Sequence, residues 1–183
     1  MPGEWTPRRT ALRGVVAEPP PFCSYPGTQT VKPEPGTYAL ILLSTKQGVI
    51  RIGRLGRLRL QPGFYVYVGS ALGPGGVRAR VAHHQRVSPR PRWHIDYLRA
   101  RTRLVEVWCC YDRVQREHQW ASALELVPGA GIPLARFGAS DCHCASHLYF
   151  FHATSEVASA SSYIATTFSG GTSAWMLCTA QST

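Results

Sequence analysis

The chain has 183 residues, of which 44% are hydrophobic, so it is long enough for one domain with a core and short for two. Its 20 Lys and Arg residues against 10 Asp and Glu give a net charge of +10, and all the basic residues except Lys32 and Lys46 are arginine. This charge favours a polyanion, nucleic acid before a membrane surface, because arginine makes forked hydrogen bonds to phosphate. A GC-rich genome that encodes arginine freely is the alternative explanation for the high arginine content.

No stretch is apolar enough for a signal peptide or a membrane span. The six scattered cysteines are therefore interpreted as reduced thiols in a cytoplasmic protein.

The first elements in chain order are a tail and a set of strands. Residues 1–35 are rich in Pro and Arg and are predicted to be a disordered tail. From Gly36, "TYALILLS" predicts an apolar strand, and "GVIRIGRLGRLRLQPGFYVYVGSA" predicts alternating strands. Together they indicate an antiparallel meander whose polar positions are mostly arginine.

Helices and two further strands are predicted downstream. "GPGGVRARVAHHQR" predicts a helix over about residues 76–86, "WHIDYLRA" a short helix and "RLVEVWCCY" a strand. "DRVQREHQWASALELV" predicts a helix with Asp112 as its N-cap, and an apolar strand follows "FGASDCHCASHL". Residues 154–183 are rich in Ser, Thr, Ala and Gly and are predicted to be a second tail of low order.

Two of the predicted strands carry a tyrosine beside a glycine, Tyr38 in the first and Tyr67 in the "YVG" of the last. Taken singly, each is an ordinary core or rim aromatic, since tyrosine is common in strands. On the helix that follows, Arg80 and His84 are four residues apart and share a face. The two side chains can therefore reach the same small target, although a single helix arginine is usually only solvated.

A carboxylate lies on the apolar face of the next long helix. At about 100° per residue, Glu117 falls within the stripe formed by Val114, Trp120, Ala121, Leu124 and Val127. A carboxylate on an inward face needs a partner, because burying it bare costs several kcal/mol. The partner is either a metal cation or, in a structural ion pair, Arg80 or Arg116.

In this order the residues resemble the GIY-YIG nuclease superfamily. Gly36-Thr37-Tyr38 matches the first motif, Tyr67-Val68-Gly69 the second, and the helix residues and glutamate follow in sequence. The segments "YVYVGSALGPGG", "RWHIDYL" and "FGASDCHCASHL" are similar, more closely, to the Uri-type branch, long described only as a domain of unknown function. The resemblance implies an α/β (α+β) fold, in which helices flank a small central antiparallel sheet, in a single domain over residues 36–153.

The resemblance also implies a metal-dependent DNA endonuclease that hydrolyses phosphodiester bonds. Tyr38 and Tyr67 would border the catalytic pocket, and Arg80 would contact the scissile phosphate. His84 matches a helix histidine found in many members. Glu117 would hold one Mg²⁺ (or Mn²⁺). The expected partner is DNA, with no membrane.

An arginine-rich hairpin separates the two tyrosines by about thirty residues, more than in typical members. The predicted nucleic-acid contacts are Arg51, Arg54, Arg57, Arg59 and Arg78. Such phosphate contacts position a duplex without reading its sequence. They would equally serve a non-catalytic nucleic-acid-binding module on the same fold, which is the alternative function.

The segment "SDCHCASHL" brings soft ligands together within one turn. Cys142, Cys144 and His147 are candidate ligands of a structural metal. Their C-x-C-x2-H spacing lacks the paired knuckles of ordinary zinc sites, so a polar turn capped by Ser140 and Asp141 is the favoured interpretation. If a metal binds, the fourth ligand would be Asp141, His143 or His152.

Overall fold

The structure is a computed structural model that describes residues 22–26 and 31–168. Within those ranges, no helix is long and apolar enough to cross a membrane. The predicted tail residues 1–21 and 169–183 lie outside the described part of the chain. The elements in chain order are β1 (Phe22–Pro26), β2 (Gly36–Ser44), β3 (Gly48–Ile52), β4 (Gly56–Leu60), β5 (Gly63–Ala71), α1 (Gly76–Gln85), α2 (His94–Arg99), β6 (Arg103–Cys110), α3 (Glu117–Glu125), β7 (Leu148–Phe151) and α4 (Thr154–Phe168).

A five-stranded antiparallel sheet with the order β1-β6-β2-β5-β7 forms the middle layer. β2 and β5 pair along their whole length, from Gly36 opposite Ala71 to Ser44 opposite Gly63. β2 is buried on both faces, which explains why its sequence is a continuous apolar run and not an alternating one. The predicted class, a central antiparallel sheet flanked by helices in one domain, is confirmed.

The sheet has a separate core on each face, because successive side chains of a strand point to opposite sides. On β2, Tyr38 and Leu40 belong to the core shared with α1 and α2. Ala39 and Ile41 belong to the core shared with α3 and α4. The domain therefore has three layers, and both tyrosines of the predicted site lie on the α1 side.

β3 and β4 do not join the central sheet as the predicted meander requires; they form a two-stranded sheet of their own. β2 already has β5 and β6 as neighbours, so no edge is left for β3. The hairpin instead buries Ile52, Leu58 and Leu60 in the α1/α2 core. Its arginines alternate with these residues and point to solvent.

The folded region extends beyond the predicted limits of 36 and 153. β1, within the predicted first tail, pairs with β6 from Phe22 opposite Cys110 to Pro26 opposite Glu106. α4, within the predicted second tail, buries side chains spaced three and four residues apart. These buried residues are Val157, Ala160 and Ile164. Because they are few and the rest of the segment is rich in Ser, Thr and Ala, the sequence shows no clear apolar stripe.

The start of α3 also differs from the prediction. The N-cap is Arg116 rather than Asp112, and Val114 lies outside the helix with 50% exposure. The backbone N–H of Arg116 donates to Oγ1 of Thr37 over 3.1 Å, which ties this end of the helix to β2. Asp112 instead accepts a hydrogen bond of 2.6 Å from the Arg116 guanidinium. Glu117 is therefore the first residue of α3, close to the sheet.

Candidate active site

Tyr38 and His84 form a buried hydrogen-bonded pair between β2 and α1. Oη of Tyr38 lies 3.0 Å from Nε2 of His84, and the two residues are 3% and 2% exposed. Gly69 faces Tyr38 across the β2–β5 ladder, and a Cβ at Gly69 would lie 2.7 Å from the Tyr38 hydroxyl oxygen. Position 69 therefore has to be glycine, because any larger residue would collide with the Tyr38 side chain.

The environment of His84 determines which partner donates in this hydrogen bond. Burial, with a smaller effect of neighbouring His83, lowers the pKa of His84 to about 4, so its imidazole is neutral at neutral pH. Its Nδ1 lies 3.9 Å from Oδ1 of Asp96. Nδ1 makes no hydrogen bond at this distance, but the negative charge of Asp96 favours the tautomer with the proton on Nδ1, in which Nε2 accepts from the Tyr38 hydroxyl.

Asp96 is a residue of this site that the sequence analysis did not select. It is 4% exposed and accepts hydrogen bonds from the backbone N–H groups of Arg92 and Trp93, at 3.0 and 3.1 Å. Burial acts to raise its pKa, but these two donors and the ring of His83 outweigh it, and the net pKa is lowered. A sequence signal did exist, because an acidic residue in the first turn of the short helix "HIDYLR" is typical of helix capping. His83, His84 and Asp96 are also close enough together to hold a metal ion.

Tyr67 lies on the same face of the sheet and is less buried than Tyr38. Its ring contacts His84 edge-on, with ring centroids 6.4 Å apart. Burial raises the pKa of Tyr67, nearby Glu117 raises it further, and Arg80 lowers it. Burial likewise raises the pKa of Tyr38, with the same opposing effects of Arg80 and Glu117. Tyr38, Tyr67, Arg80 and Glu117 are therefore close enough to influence one another electrostatically.

Arg80 lies at the wall of a surface cavity of about 260 Å³. Its guanidinium stacks 4.9 Å from the ring of Trp93, a residue that is 42% exposed. In the described part of the chain, no carboxylate lies within ion-pair distance of Arg80. The guanidinium is thus available to an anion that enters the cavity, and the exposed indole beside it offers a flat apolar surface. The lining residues are Ala71, Gly73, Pro74, Gly76, Ala79, Arg80, His83 and Trp93.

Glu117 presents a largely buried carboxylate that has no lysine or arginine ion-pair partner among the residues that the structure describes. Its side chain is 13% exposed and accepts a hydrogen bond of 2.6 Å from the Gln115 amide. The structural ion pair that the sequence left open is not formed among the described residues, because Arg116 pairs with Asp112 instead. A carboxylate in this setting fits a divalent cation, since Mg²⁺ binds proteins through few carboxylates and keeps several waters.

The predicted nucleic-acid contacts are all exposed, on the hairpin and on α1 at Arg78. Arg51 lies directly opposite Arg57 in the β3–β4 ladder. Like charges in this position destabilise a strand pair, so the hairpin's own stability does not explain them. No ion pair to an acidic residue compensates the hairpin arginines within the described ranges.

The cysteine and histidine turn is arranged differently from the favoured interpretation. No side-chain hydrogen bond from Ser140 or Asp141 to a backbone amide is present in the described residues. Cys142, Cys144 and His147 do lie together, and the fourth potential ligand near them is His118 of α3, not Asp141, His143 or His152. The signal available in the sequence was a histidine directly after the predicted metal ligand Glu117.

The chain belongs to the family described as "Domain of unknown function DUF123", whose model matches residues 37–169. This match includes both tyrosines, α1, α3 and all of α4. No curated protein and no solved structure matches the chain. The family's description names no activity, which leaves the function to be inferred from the site.

Proposed function

We propose that the protein is a metal-dependent DNA endonuclease that hydrolyses phosphodiester bonds. The supporting observation is the buried hydrogen bond between Tyr38 and neutral His84. Among the described residues, nearby Arg80 has no acidic ion-pair partner and Glu117 has no lysine or arginine partner. These groups come from β2, α1 and α3, and a purely structural role would not require them in one place. The resemblance to the GIY-YIG superfamily rests on the same residues.

The proton of the attacking water moves through the Tyr38–His84 pair. Because the pKa of Tyr38 is raised well above its usual value, the hydroxyl is protonated at neutral pH and acts as a relay. As the water gives a proton to the phenolic oxygen, the hydroxyl proton passes to Nε2 of His84. The Asp96 carboxylate, 3.9 Å from Nδ1, stabilises the imidazolium that results.

The remaining groups of the candidate site would hold the phosphate. Arg80 donates to non-bridging oxygens, and Tyr67, the less buried tyrosine, hydrogen-bonds the water or the phosphate. Glu117 would hold the divalent ion, Mg²⁺ or Mn²⁺. Such an ion, when bound, supplies positive charge that stabilises the negative charge developing on the phosphate.

DNA is the proposed substrate because the described surface carries exposed arginines and an exposed aromatic ring. The hairpin arginines and Arg78 provide exposed charge for the backbone, and Trp93 provides a face on which a base can stack. We expect this enzyme in the cytoplasm. The uncompensated hairpin also supports the second candidate function, a nucleic-acid-binding module that does not cut.

Incubation of supercoiled plasmid with the purified protein separates the two functions. In the presence of Mg²⁺ or Mn²⁺ we expect nicked and linear products, and none when EDTA replaces the metal. Arg80→Ala should weaken both binding and cutting, since its charge meets the phosphate in the ground and transition states alike. Plasmid that is bound but stays supercoiled under all metal conditions would favour the binding module.

A further inference from the structure

Four soft-ligand side chains meet between α3 and the loop before β7. Cys142, Cys144 and His147 come from the loop, and His118 comes from the first turn of α3. One ligand atom from each lies within 4.8 Å of the ligand atoms of the other three. His147 is 3% exposed, and the remaining three side chains are partly exposed, which leaves the cluster accessible to an ion.

The distances within the cluster suit a tetrahedral ion. Nδ1 of His118 lies 3.3 Å from Sγ of Cys144, and Nε2 of His147 lies 3.4 Å from Sγ of Cys142. With Zn–S bonds of about 2.3 Å and Zn–N bonds of about 2.0 Å, a tetrahedral site separates sulfur from nitrogen by about 3.5 Å. Both separations lie within about 0.2 Å of this value.

We propose that these four residues form a structural zinc site of the Cys₂His₂ type. Two thiols lose their protons to solvent on binding, so Zn²⁺ with two thiolates and two neutral imidazoles carries no net charge. This neutrality suits a partly buried position. Two sulfur ligands select zinc over Mg²⁺, which prefers oxygen, so the site is distinct from the carboxylate of Glu117.

The zinc site also has a structural consequence for α3. It fastens the first turn of the helix, through His118, to the loop that leads into β7. The other ring nitrogen of His118 lies 3.7 Å from Oε1 of Glu117, where a carboxylate can orient a metal-bound histidine. The ion would thus hold in place the helix turn that carries Glu117. This inference does not depend on nuclease activity, since metal binding is measured without DNA.

Elemental analysis of the full-length protein and cobalt substitution test the site. After exhaustive dialysis we expect about one zinc ion per chain, as for a closed structural site. Protein loaded with Co²⁺ should show the intense visible absorption of tetrahedral cobalt together with a near-ultraviolet thiolate charge-transfer band. Metal-free wild-type protein without either cobalt feature would overturn the proposal, whether or not any variant folds.

Matched variants connect the metal to the four residues. Cys144→Ser and His118→Asn should lose the zinc and the wild-type cobalt spectrum, and removal of zinc should lower the melting temperature of the wild type but not of Cys144→Ser. Cys23→Ser is the control, because Cys23 is also partly buried but lies in β1, outside the cluster. Equal zinc content in Cys144→Ser and the wild type would overturn the assignment, as would an equal loss in Cys23→Ser.

Discussion

The hydroxyl of Tyr38 lies 3.0 Å from Nε2 of His84, and this contact joins the central strand of the sheet to the helix that carries Arg80. His84 is neutral, and the charge of Asp96 near its Nδ1 favours the tautomer in which the tyrosine is the donor. A buried pair with this polarity can accept a proton from a water molecule at the tyrosine and store it on the imidazole.

Tyr38→Phe removes the donor and leaves the ring. We expect cleavage to fall by about 100-fold or more, the usual contribution of a proton-transfer group, while the free energy of unfolding falls by about 1 kcal/mol. Plasmid cleavage kinetics and urea unfolding measure the two effects.

Tyr65→Phe is the matched control for this variant. Tyr65 is also buried on β5, and its hydroxyl bonds the backbone of Gln61 at 2.8 and 3.1 Å, away from the pair. It should lose comparable stability and keep its cleavage rate. If both variants lose cleavage to the same extent, the Tyr38 hydroxyl is structural and the relay is wrong.

The depressed pKa of His84 predicts acid destabilisation of the folded state. Between its folded value of about 4 and the ordinary value of 6.5, the unfolded chain binds a proton that the folded chain does not. Stability is therefore fully present above about pH 6.5 and declines as the pH falls to about 4, by roughly 3 kcal/mol for this group. The lowered pKa values of Asp96, His94 and His147 act in the same direction.

Urea unfolding at a series of pH values measures this dependence. His84→Gln should flatten the slope of unfolding free energy against pH, whatever it does to stability at neutral pH. A wild-type slope in His84→Gln would mean that another group causes the acid sensitivity.

Gly69→Ala should damage the site by displacing Tyr38. The new Cβ would lie 2.7 Å from Oη and 2.8 Å from Cζ of a ring that is 3% exposed and has little room to move. We expect a loss of about 1–3 kcal/mol of stability, as for overpacking of a core, together with loss of cleavage. Gly48→Ala is the control, because nothing lies within 4 Å of its added Cβ in β3. Wild-type cleavage by Gly69→Ala would show that the position of Tyr38 is not critical.

The hairpin predicts a specific change in the salt dependence of DNA binding. Arg51→Gln combined with Arg57→Gln should weaken binding and reduce the slope of log affinity against log salt by about two, one for each phosphate-binding charge removed. Stability should not fall, since the two residues repel each other across the ladder. Fluorescence anisotropy over a salt series measures the slope, and the corresponding Lys variants, which keep the charge, should preserve it. An unchanged slope in the Gln variants would mean that DNA does not contact these two hairpin arginines.

Much of the candidate site is readable from local patterns. The strand sequences position Tyr38 and Tyr67 on one face, helical spacing places Arg80 and His84 together, and the apolar stripe directs Glu117 inward. Each of these inferences depends on residues close together in the chain. The structure brings these side chains into one environment, while their chemical roles remain predictions.

The parts that sequence reasoning missed depend on contacts between distant segments. Asp96 matters because α2 packs its carboxylate beside two histidines of α1, and His118 matters because the 142–147 loop crosses the start of α3. The spacing of residues within one segment carries no information about either of these contacts between segments. α4 was missed for a different reason: its buried residues are few and small, so the composition resembles that of a tail.

Glu117→Gln is predicted to abolish metal-dependent cleavage and to leave DNA binding intact or slightly tighter. Glutamine keeps the size of the side chain and removes the negative charge that would hold the cation, whereas ground-state binding rests mainly on arginine contacts to phosphate. The matched control is Glu125→Gln, an exposed carboxylate on the same helix, which should cut at the wild-type rate. Zinc content should be unchanged in both variants, because neither residue belongs to the Cys₂His₂ cluster. Wild-type cleavage by Glu117→Gln would remove the proposed metal ligand from the mechanism, and His83, His84 and Asp96 would become the next group to test.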